Sequence, residues 1–294
     1  MRLFFLRIKL SWRYIVKKAL ELTSVIYAVA GLVSLFVSFE GIFSQDVSFW
    51  WRLVVALAIL FGVWLACAIF YSCIVGLMNK KKVVDGPNGK SVYVVYGDLL
   101  DSKIIEVGKR YVCFAVNRCY DTIVDDRLIS SNSVHGKAFK RLFQGGVTTE
   151  KLNDAILANI HSSTPPVILR REDKPDGNLN RYEVGSYANI QIDENLNFIL
   201  LGLSWLNANL NAQTSKSDFV LAIQKMIESF DNESQGYPVL MPIIGAGRSR
   251  TDLTEREALE YILEAFRINK NKITSDIYIV IHESAKNRVS IADL

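Results

Sequence analysis

The sequence predicts an α/β layered domain carried behind two N-terminal membrane-spanning helices. Three observations support that reading. Residues 19–39 and 53–77 are long apolar runs, the first with Glu21 as its only charge and the second with none. Charge is unevenly divided, with ten Lys/Arg against three Asp/Glu in residues 1–82 and 24 against 27 in residues 83–294. Beyond residue 90, short apolar runs rich in β-branched and aromatic residues alternate with stretches of helical period. The whole-chain averages, a formal net charge of +4 and 50% hydrophobic residues over 294 positions, therefore describe neither part. With 17 Gly and 6 Pro the chain is not collagenous or low-complexity, and four cysteines are too few for a disulfide scaffold.

Both runs meet the roughly 20 apolar residues that a bilayer core requires of a helix. The first is too long for the apolar stretch of a cleaved signal peptide, no small-residue cleavage site follows it, and a second span comes after. Arg2, Arg7, Lys9, Arg13, Lys17 and Lys18 precede the first span with no acid among them, and Lys80, Lys81 and Lys82 follow the second. The short connection holds only Glu40, Asp46 and Arg52. Positive charge stays inside, so both termini are expected in the cytoplasm, with Phe49, Trp50 and Trp51 at an aromatic belt. The N-terminal stretch, with Trp12 and Tyr14 among its bases, either lies along the membrane surface or only sets topology. No Asp, Lys or Arg lies inside either span, which argues against a proton relay within one monomer. Gly31, Ser34, Ser38, Gly62, Ala66 and Gly76 allow close helix approach. Two helices cannot enclose a pore, so any membrane action requires an oligomer. Cys67 and Cys73 read as packing residues, and Cys113 and Cys119 lack the partners of a zinc site.

The expected division is a membrane region at 1–82 ending in a basic stop, a turn-rich linker at 83–90, and a soluble domain at 91–294. Within the domain, Ser91–Tyr96 and Tyr111–Val116 read as strands, and Val134–Phe143 and Thr149–Ile160 as helices. Leu169–Gly185 reads as a polar loop or hairpin. Ala188–Ile192 and Phe198–Ser204 read as strands, Ser217–Phe230 as a helix, and Pro238–Ile244 as a short apolar run. Leu253–Asn269 reads as a helix opened by a Thr254…Glu257 capping box, and Asp276–Ile281 as the last strand.

Three segments carry chemistry. Gly245-Ala246-Gly247-Arg248-Ser249-Arg250 follows a buried strand and precedes a helix. Glycines there let backbone N–H groups face an anion, the helix dipole adds to the attraction, and the arginines can add charge-assisted contacts; a plain tight turn is the other reading. Asn117-Arg118-Cys119-Tyr120-Asp121-Thr122-Ile123-Val124-Asp125-Asp126, continuing through Ser133-Val134-His135-Gly136, is a dense polar loop at a strand's carboxyl end, where α/β folds place ligand groups. Its acids can hold a metal, accept from ribose hydroxyls, act as acid and base, or cap the next helix. Gly97-Asp98-Leu99-Leu100 follows the first strand, and Asp98 can accept from an exocyclic amine or cap a turn. His135 reads as a polar contact or helix-start residue, or as half of a His–Asp pair.

In order and spacing, Tyr96-Gly97-Asp98-Leu99, Ala115-Val116-Asn117 and Pro242-Ile243-Ile244-Gly245-Ala246-Gly247 resemble a macro domain over about residues 91–283. The resemblance implies a three-layer α/β/α domain with a mixed sheet and an ADP-ribose-type ligand across the strand ends. It places Asp98 and Leu99 at the adenine. Asn117, Arg118, Asp121, Thr122, Val124, Asp126 and His135 fall at the distal ribose or its substituent. Gly245, Ala246, Gly247, Arg248, Ser249 and Arg250 fall at the diphosphate. Macro domains that cut ADP-ribose linkages follow Val-Asn with Ala-Asn and a glycine-rich loop, whereas this chain has Arg118-Cys119-Tyr120-Asp121-Thr122. Tyr120-Asp121-Thr122-Ile123-Val124-Asp125-Asp126 with Ser133-Val134-His135-Gly136 resembles the divergent macro domain of bacterial defence proteins.

Joined to two spans, the chain resembles the transmembrane–macro effectors of type II Thoeris anti-phage systems. That resemblance implies a multi-pass bacterial inner-membrane protein with its soluble domain in the cytoplasm. It would be a sensor rather than an enzyme, needing no cofactor or metal. It would bind an ADP-ribose-derived signal, a histidine-conjugated ADP-ribose made by a TIR-domain synthase, and act on the lipid bilayer as a homo-oligomer. A membrane-tethered hydrolase of ADP-ribose derivatives, with Asp125, Asp126 and His135 as acid and base, is the alternative. Nucleic acid is not an expected partner, because residues 83–294 are net negative.

Overall fold

The computed structural model describes residues 2–34, 48–101, 104, 108–246, 251–282, 285 and 288–294. The chain divides into two compact units, one of residues 1–79 with 290–294 and the other of residues 80–289.

In the first unit, α1 (Arg2–Leu10) and α2 (Trp12–Ser34) meet at buried Ser11, and α3 (Phe49–Leu77) runs for 29 residues. At 1.5 Å per residue α3 is about 44 Å long, more than a bilayer core of ~30 Å. Among the described residues it is one helix long and apolar enough to cross a membrane. Leu57, Phe61 and Ile69 on it are exposed. The first expected span is helical through Ser34; its last residues, 35–39, and the hairpin tip through residue 47 lie outside the described residues. Ala19, Cys67 and Ala68 pack together where α2 meets α3. Arg7 holds the end of α3, with Nη1 donating to the carbonyls of Gly76 (3.0 Å) and Met78 (3.1 Å) and Nη2 to Asn79 Oδ1 (2.9 Å). A cation at a helix carboxyl end meets both unpaired carbonyls and the dipole. The last five residues complete this unit: Ala292 packs with Ile15 and Val75, and the hydroxyls of Ser290 and Ser11 lie 2.6 Å apart.

In the second unit the strands are β1 (Lys80–Asp85), β2 (Ser91–Tyr96), β3 (Arg110–Asn117), β4 (Ile160–His161), β5 (Val167–Ile168), β6 (Asn180–Arg181), β7 (Tyr187–Asp193), β8 (Leu196–Leu206), β9 (Ala212–Gln213), β10 (Val239–Pro242) and β11 (Ile277–Ile281). The helices are α4 (Val134–Gln144), α5 (Thr149–Leu157), α6 (Lys216–Glu233) and α7 (Glu255–Ile268). The main sheet runs β1-β2-β11-β10-β3-β8-β7-β4, with β9 added on β8, and β5 pairs with β6 apart from it. Neighbours from β2 to β8 are parallel, whereas β1, β7 and β4 are antiparallel, so the sheet is mixed.

Central parallel strands are covered on both faces, which is why β8 is buried over nearly its whole length. Val112, Phe114, Phe198 and Leu200 pack with Phe139 of α4 and Leu152 and Ile156 of α5. The alternate residues, such as Tyr111, Cys113, Ile199 and Leu201, are equally buried. They face the other side of the sheet, where α6 lies on β8 and α7.

Two sequence expectations change. Lys80–Asp85, read as a basic stop running into a linker, is the edge strand β1, paired antiparallel with β2. Lysines on an edge strand suit it, since their charge discourages further strand addition. The last five residues, read as part of the soluble domain, join the helical unit because their apolar side chains are buried there. The Leu169–Gly185 excursion is a hairpin closed by β5 and β6.

The capping box is present: Thr254 Oγ1 accepts from the Glu257 amide, and the Glu257 carboxylate accepts from the Thr254 amide at 2.8 Å. Thr254→Ala should cost about 1 kcal/mol, read as a lowered urea midpoint of the full chain in detergent with an unchanged slope.

Candidate functional site

The carboxyl ends of β3, β8, β10 and β11 border a cleft of two lobes that share Ala115, Ser133 and His135. One lobe, about 340 Å³, is lined by Asn117, Asp126 to Ser130, Ser204 and Asn211. The other, about 360 Å³, is lined by Pro242 to Ala246, Lys137, Glu255, Val280 and His282. Each volume lies within the ~300–1,000 Å³ of small-molecule sites.

The loop after β3 is held by backbone and side chains alike. Asn117 Oδ1 accepts from the Cys119 amide (3.1 Å), and the Arg118 amide donates to Ser204 O (2.7 Å). Tyr120 turns the chain at φ +54°, a left-handed conformation uncommon outside glycine. Its ring is fully buried, edge-on to Tyr182, and its hydroxyl donates to Ser186 Oγ (2.9 Å). A tyrosine thus makes a turn that a glycine-rich loop makes at no steric cost.

Asp121 does not face the cleft. Its carboxylate meets Lys174 Nζ at 3.0 and 2.9 Å, and both side chains are inaccessible. Burial pushes the Asp121 carboxyl up, while Lys174 and the Asn178 amide pull it back. Lys174 also donates to the carbonyls of Asp176 (2.7 Å) and Asn178 (2.8 Å), so its ammonium donors are satisfied. Gly177, at φ +77°, is required there because a Cβ would lie 2.2 Å from Asp121 Oδ1. This pair locks the 169–185 excursion onto the ligand-side loop. Sequence reasoning missed it, because Lys174 and Asp121 are distant in the chain and nothing in the local pattern marks a lysine for burial.

Asp125 Oδ1 accepts from the amides of Arg127 (2.9 Å) and Leu128 (2.7 Å), and Asp126 Oδ1 from that of Ser131 (2.7 Å). The bond from the Ser131 amide holds the Asp126 carboxyl below its ordinary range. His135 sits in the first turn of α4, edge-on to Phe139 at 4.4 Å between centroids. Burial pushes its imidazole down to about 3, so it is neutral at physiological pH. The loop into α7 begins at Gly245, with φ +95° and a would-be Cβ 2.6 Å from the Phe219 ring. Thr251 Oγ1 donates to Gly245 O (2.8 Å) and ties the two ends of that loop together.

Of the sequence candidates, Asn117, Asp126, His135, Gly245 and Ala246 line the cleft. Asp98, Leu99, Arg118, Asp121, Thr122 and Val124 do not. Asp98 Oδ1 accepts from the Leu100 amide (3.0 Å), a turn-capping bond, and Leu99 borders a separate small cavity beside α4. Arg118 Nε donates to Tyr182 O (2.8 Å), and Thr122 is buried. Val124 packs against the core. Gly247, Arg248, Ser249 and Arg250 lie outside the described residues. Sequence reasoning missed Ser204 and Asn211, which come from the end of β8 and the turn after it, and Lys137 and Glu255, which lie on α4 and α7 just beyond the segments singled out. Among the described residues no group of three or more His, Cys, Asp or Glu could hold a metal ion.

The family model described as "Thoeris protein ThsA, Macro domain" matches residues 92–282. The chain belongs to the Thoeris ThsA macro-domain family. It is 25% identical over 266 residues to the Thoeris protein ThsA of Bacillus amyloliquefaciens (strain Y2), a match covering 88% of this chain and 81% of that protein. Among solved structures it is similar to the Oceanobacillus iheyensis macrodomain with MES bound. That match has a TM-score of 0.38 at 12% identity, covering 71% of this chain and 92% of the other. In this Thoeris macro-domain protein the N-terminal helices fit a transmembrane–macro arrangement.

Two outcomes test the site's construction. Lys174→Ala leaves a buried carboxylate unpaired and should cost about 3–5 kcal/mol of stability, measured by urea unfolding of the full chain in detergent. For His135 the unfolded imidazole takes a proton below its ordinary pKa of 6.5 while the folded one resists until about 3, so stability falls as pH drops through that window. Between pH 7 and pH 5 this group should remove about 2 kcal/mol, and melts of His135→Gln should lack that part of the decline.

Proposed function

We propose that this chain is a membrane-anchored effector of anti-phage defence whose cleft takes an ADP-ribose-derived signal, a histidine-conjugated ADP-ribose. The supporting observation is the two-lobed cleft across the strand ends, opened on one side by the Gly245 turn and on the other by the Asn117–Asp126 loop. The diphosphate sits at Gly245 and Ala246, in the lobe that Lys137 also lines, and Gly247, Arg248, Ser249 and Arg250, next in sequence, are its further candidate contacts. Asn117, Asp126 and Ser204 receive the distal ribose and its substituent. Asp98, outside the cleft lining, is left without the adenine, which rests instead on the apolar wall of Ile244 and Val280.

Sensing is preferred to hydrolysis because Asp125, one of the acid and base candidates, does not line the cleft and turns onto its own loop, where its Oδ1 accepts from the Arg127 and Leu128 amides. Occupation of the cleft then favours an oligomeric arrangement in which the N-terminal helices compromise the bacterial inner membrane. This requires tighter binding to that arrangement than to the resting one. A TIR-domain synthase is the functional partner that supplies the signal.

Calorimetry of the full chain in detergent should show ADP-ribose binding, tighter binding of the histidine conjugate, and no turnover of either by chromatography. Gly247→Glu places a carboxylate at the diphosphate loop and should weaken binding at least about tenfold, ~1.4 kcal/mol, with the melting temperature retained. Equal affinities for wild type and variant would falsify this placement of the diphosphate.

A further inference from the structure

Ile15 of α2 packs with Val75 near the end of α3. A straight continuation of α2 would carry Phe4 roughly 16 Å past that level, at 1.5 Å per residue. The Phe4 ring instead lies on Gly76, in the space that a Cβ there would need. Arg7 reaches the same place, donating from Nη1 to the carbonyls of Gly76 and Met78 and from Nη2 to Asn79 Oδ1. α1 therefore bends at Ser11 and lies against the carboxyl end of α3, with Phe4 and Arg7 on its anchored side. On the other side, Phe5 and Lys9 of α1 and Trp12 and Arg13 at the start of α2 are all exposed, Phe5 by 62% and Trp12 by 54%. Helical bonding runs through the junction, from the Ser11 amide to Arg7 O (3.0 Å) and from the Ile15 amide to Ser11 O (2.9 Å). Lys9, Trp12 and Arg13 therefore share one helical face with Phe5. Among the described residues Lys9 and Arg13 form no ion pair.

We infer that Phe5, Lys9, Trp12 and Arg13 form a docking face for anionic phospholipid headgroups. The occupant follows from depth and charge. α3 carries no charged side chain from Leu53 to Leu77, and Lys80, Lys81 and Lys82 come soon after its end. Once α3 crosses a bilayer, that end lies among the headgroups, and α1, fastened to it, lies at the same depth. Aromatic rings settle at that depth, and unpaired cations there meet lipid phosphates. Exposure of the same rings to water has a hydrophobic cost. Bases that only set topology need no common face and no aromatic neighbours, whereas here both cations and both rings share the side turned away from the Arg7 anchor. α1 is thus an in-plane helix, pinned to the spanning helix by Arg7 and to the leaflet by Lys9 and Arg13. That α3 spans the membrane rests on the reading proposed above.

The test is backbone hydrogen exchange by mass spectrometry on the full chain in nanodiscs, comparing phosphatidylcholine alone with phosphatidylcholine mixed with phosphatidylglycerol. A cation near an anionic surface is worth about fivefold, so with two of them the amides of residues 6–13 should exchange about 25-fold more slowly in the anionic nanodisc. Lys9→Gln/Arg13→Gln should abolish the difference between the lipids, and Lys9→Glu/Arg13→Glu should reverse its sign. Both positions are exposed, so the central amides of α3 and β8 should be unchanged in every variant. Salt at about 1 M, where the Debye length falls to about 3 Å, should remove most of the wild-type difference. Equal wild-type rates in the two lipids overturn the docking face, and so does a difference that survives in Lys9→Gln/Arg13→Gln, which would assign the protection to a contact with protein. Fast exchange of the central α3 amides in both nanodiscs would instead sink the spanning reading; slow α3 amides beside lipid-independent α1 rates would leave that reading standing and overturn the docking face alone.

Discussion

A parallel sheet can be extended only by bringing the chain back to the same end, and this constraint organises the second unit. β2, β11, β10, β3 and β8 all run one way, so the loops leaving them gather along one edge. Those loops carry backbone groups with no ladder partner, and each must be met by a side chain, a neighbouring loop or a ligand. Asn117, Asp125 and Asp126 are spent largely on this task, accepting from amides of their own loop. The cleft is what remains between loops satisfied in this way, and its polar character follows from residues chosen first to hold the chain.

The buried Asp121–Lys174 pair does the same work at larger scale. Two charges are removed from water, which is costly unless every donor and acceptor is placed. Lys174 meets that condition through Asp121 and two carbonyls. What results is specificity of placement: a long polar excursion is held against the loop that borders the cleft. Tyr120 shows the complementary strategy. Its left-handed backbone costs about 1–3 kcal/mol for a residue of its size, and the buried ring and the bond to Ser186 offset it. A loop built in this way is held by packing and a hydrogen bond that a glycine at that position would not supply.

Much of the fold was legible in the sequence because period and burial are local signals. The helices α4, α6 and α7 and the strands β2, β3, β8 and β11 fall where apolar spacing put them, and the Thr254 capping box is a four-residue pattern. β1 was hidden because its lysines read as a membrane flank, and an edge strand that exposes lysines has the same composition. Asp98 was legible as a polar residue after a strand, but not as one that turns back to its own loop at Leu100. The site was half legible. Asn117, Asp126, His135 and Gly245 announce themselves by position in polar or glycine-bearing loops after strands, whereas Ser204 ends an apolar strand and Lys137 and Glu255 lie on ordinary helix turns.

By itself the sequence determined that the chain has an apolar, basic amino-terminal part and an α/β part, that glycines follow a buried strand at residue 245, and that the order of its motifs matches a macro domain. These properties are carried by neighbouring residues and survive without knowledge of the fold. Only tertiary structure decided which polar residues line the cleft and which are consumed internally, that Lys174 is buried, and that the last residues pack with the first. Such choices depend on contacts between residues tens to hundreds of positions apart, such as Ser11 with Ser290. No local pattern encodes those contacts, because their free energy exists only after the chain between them has folded.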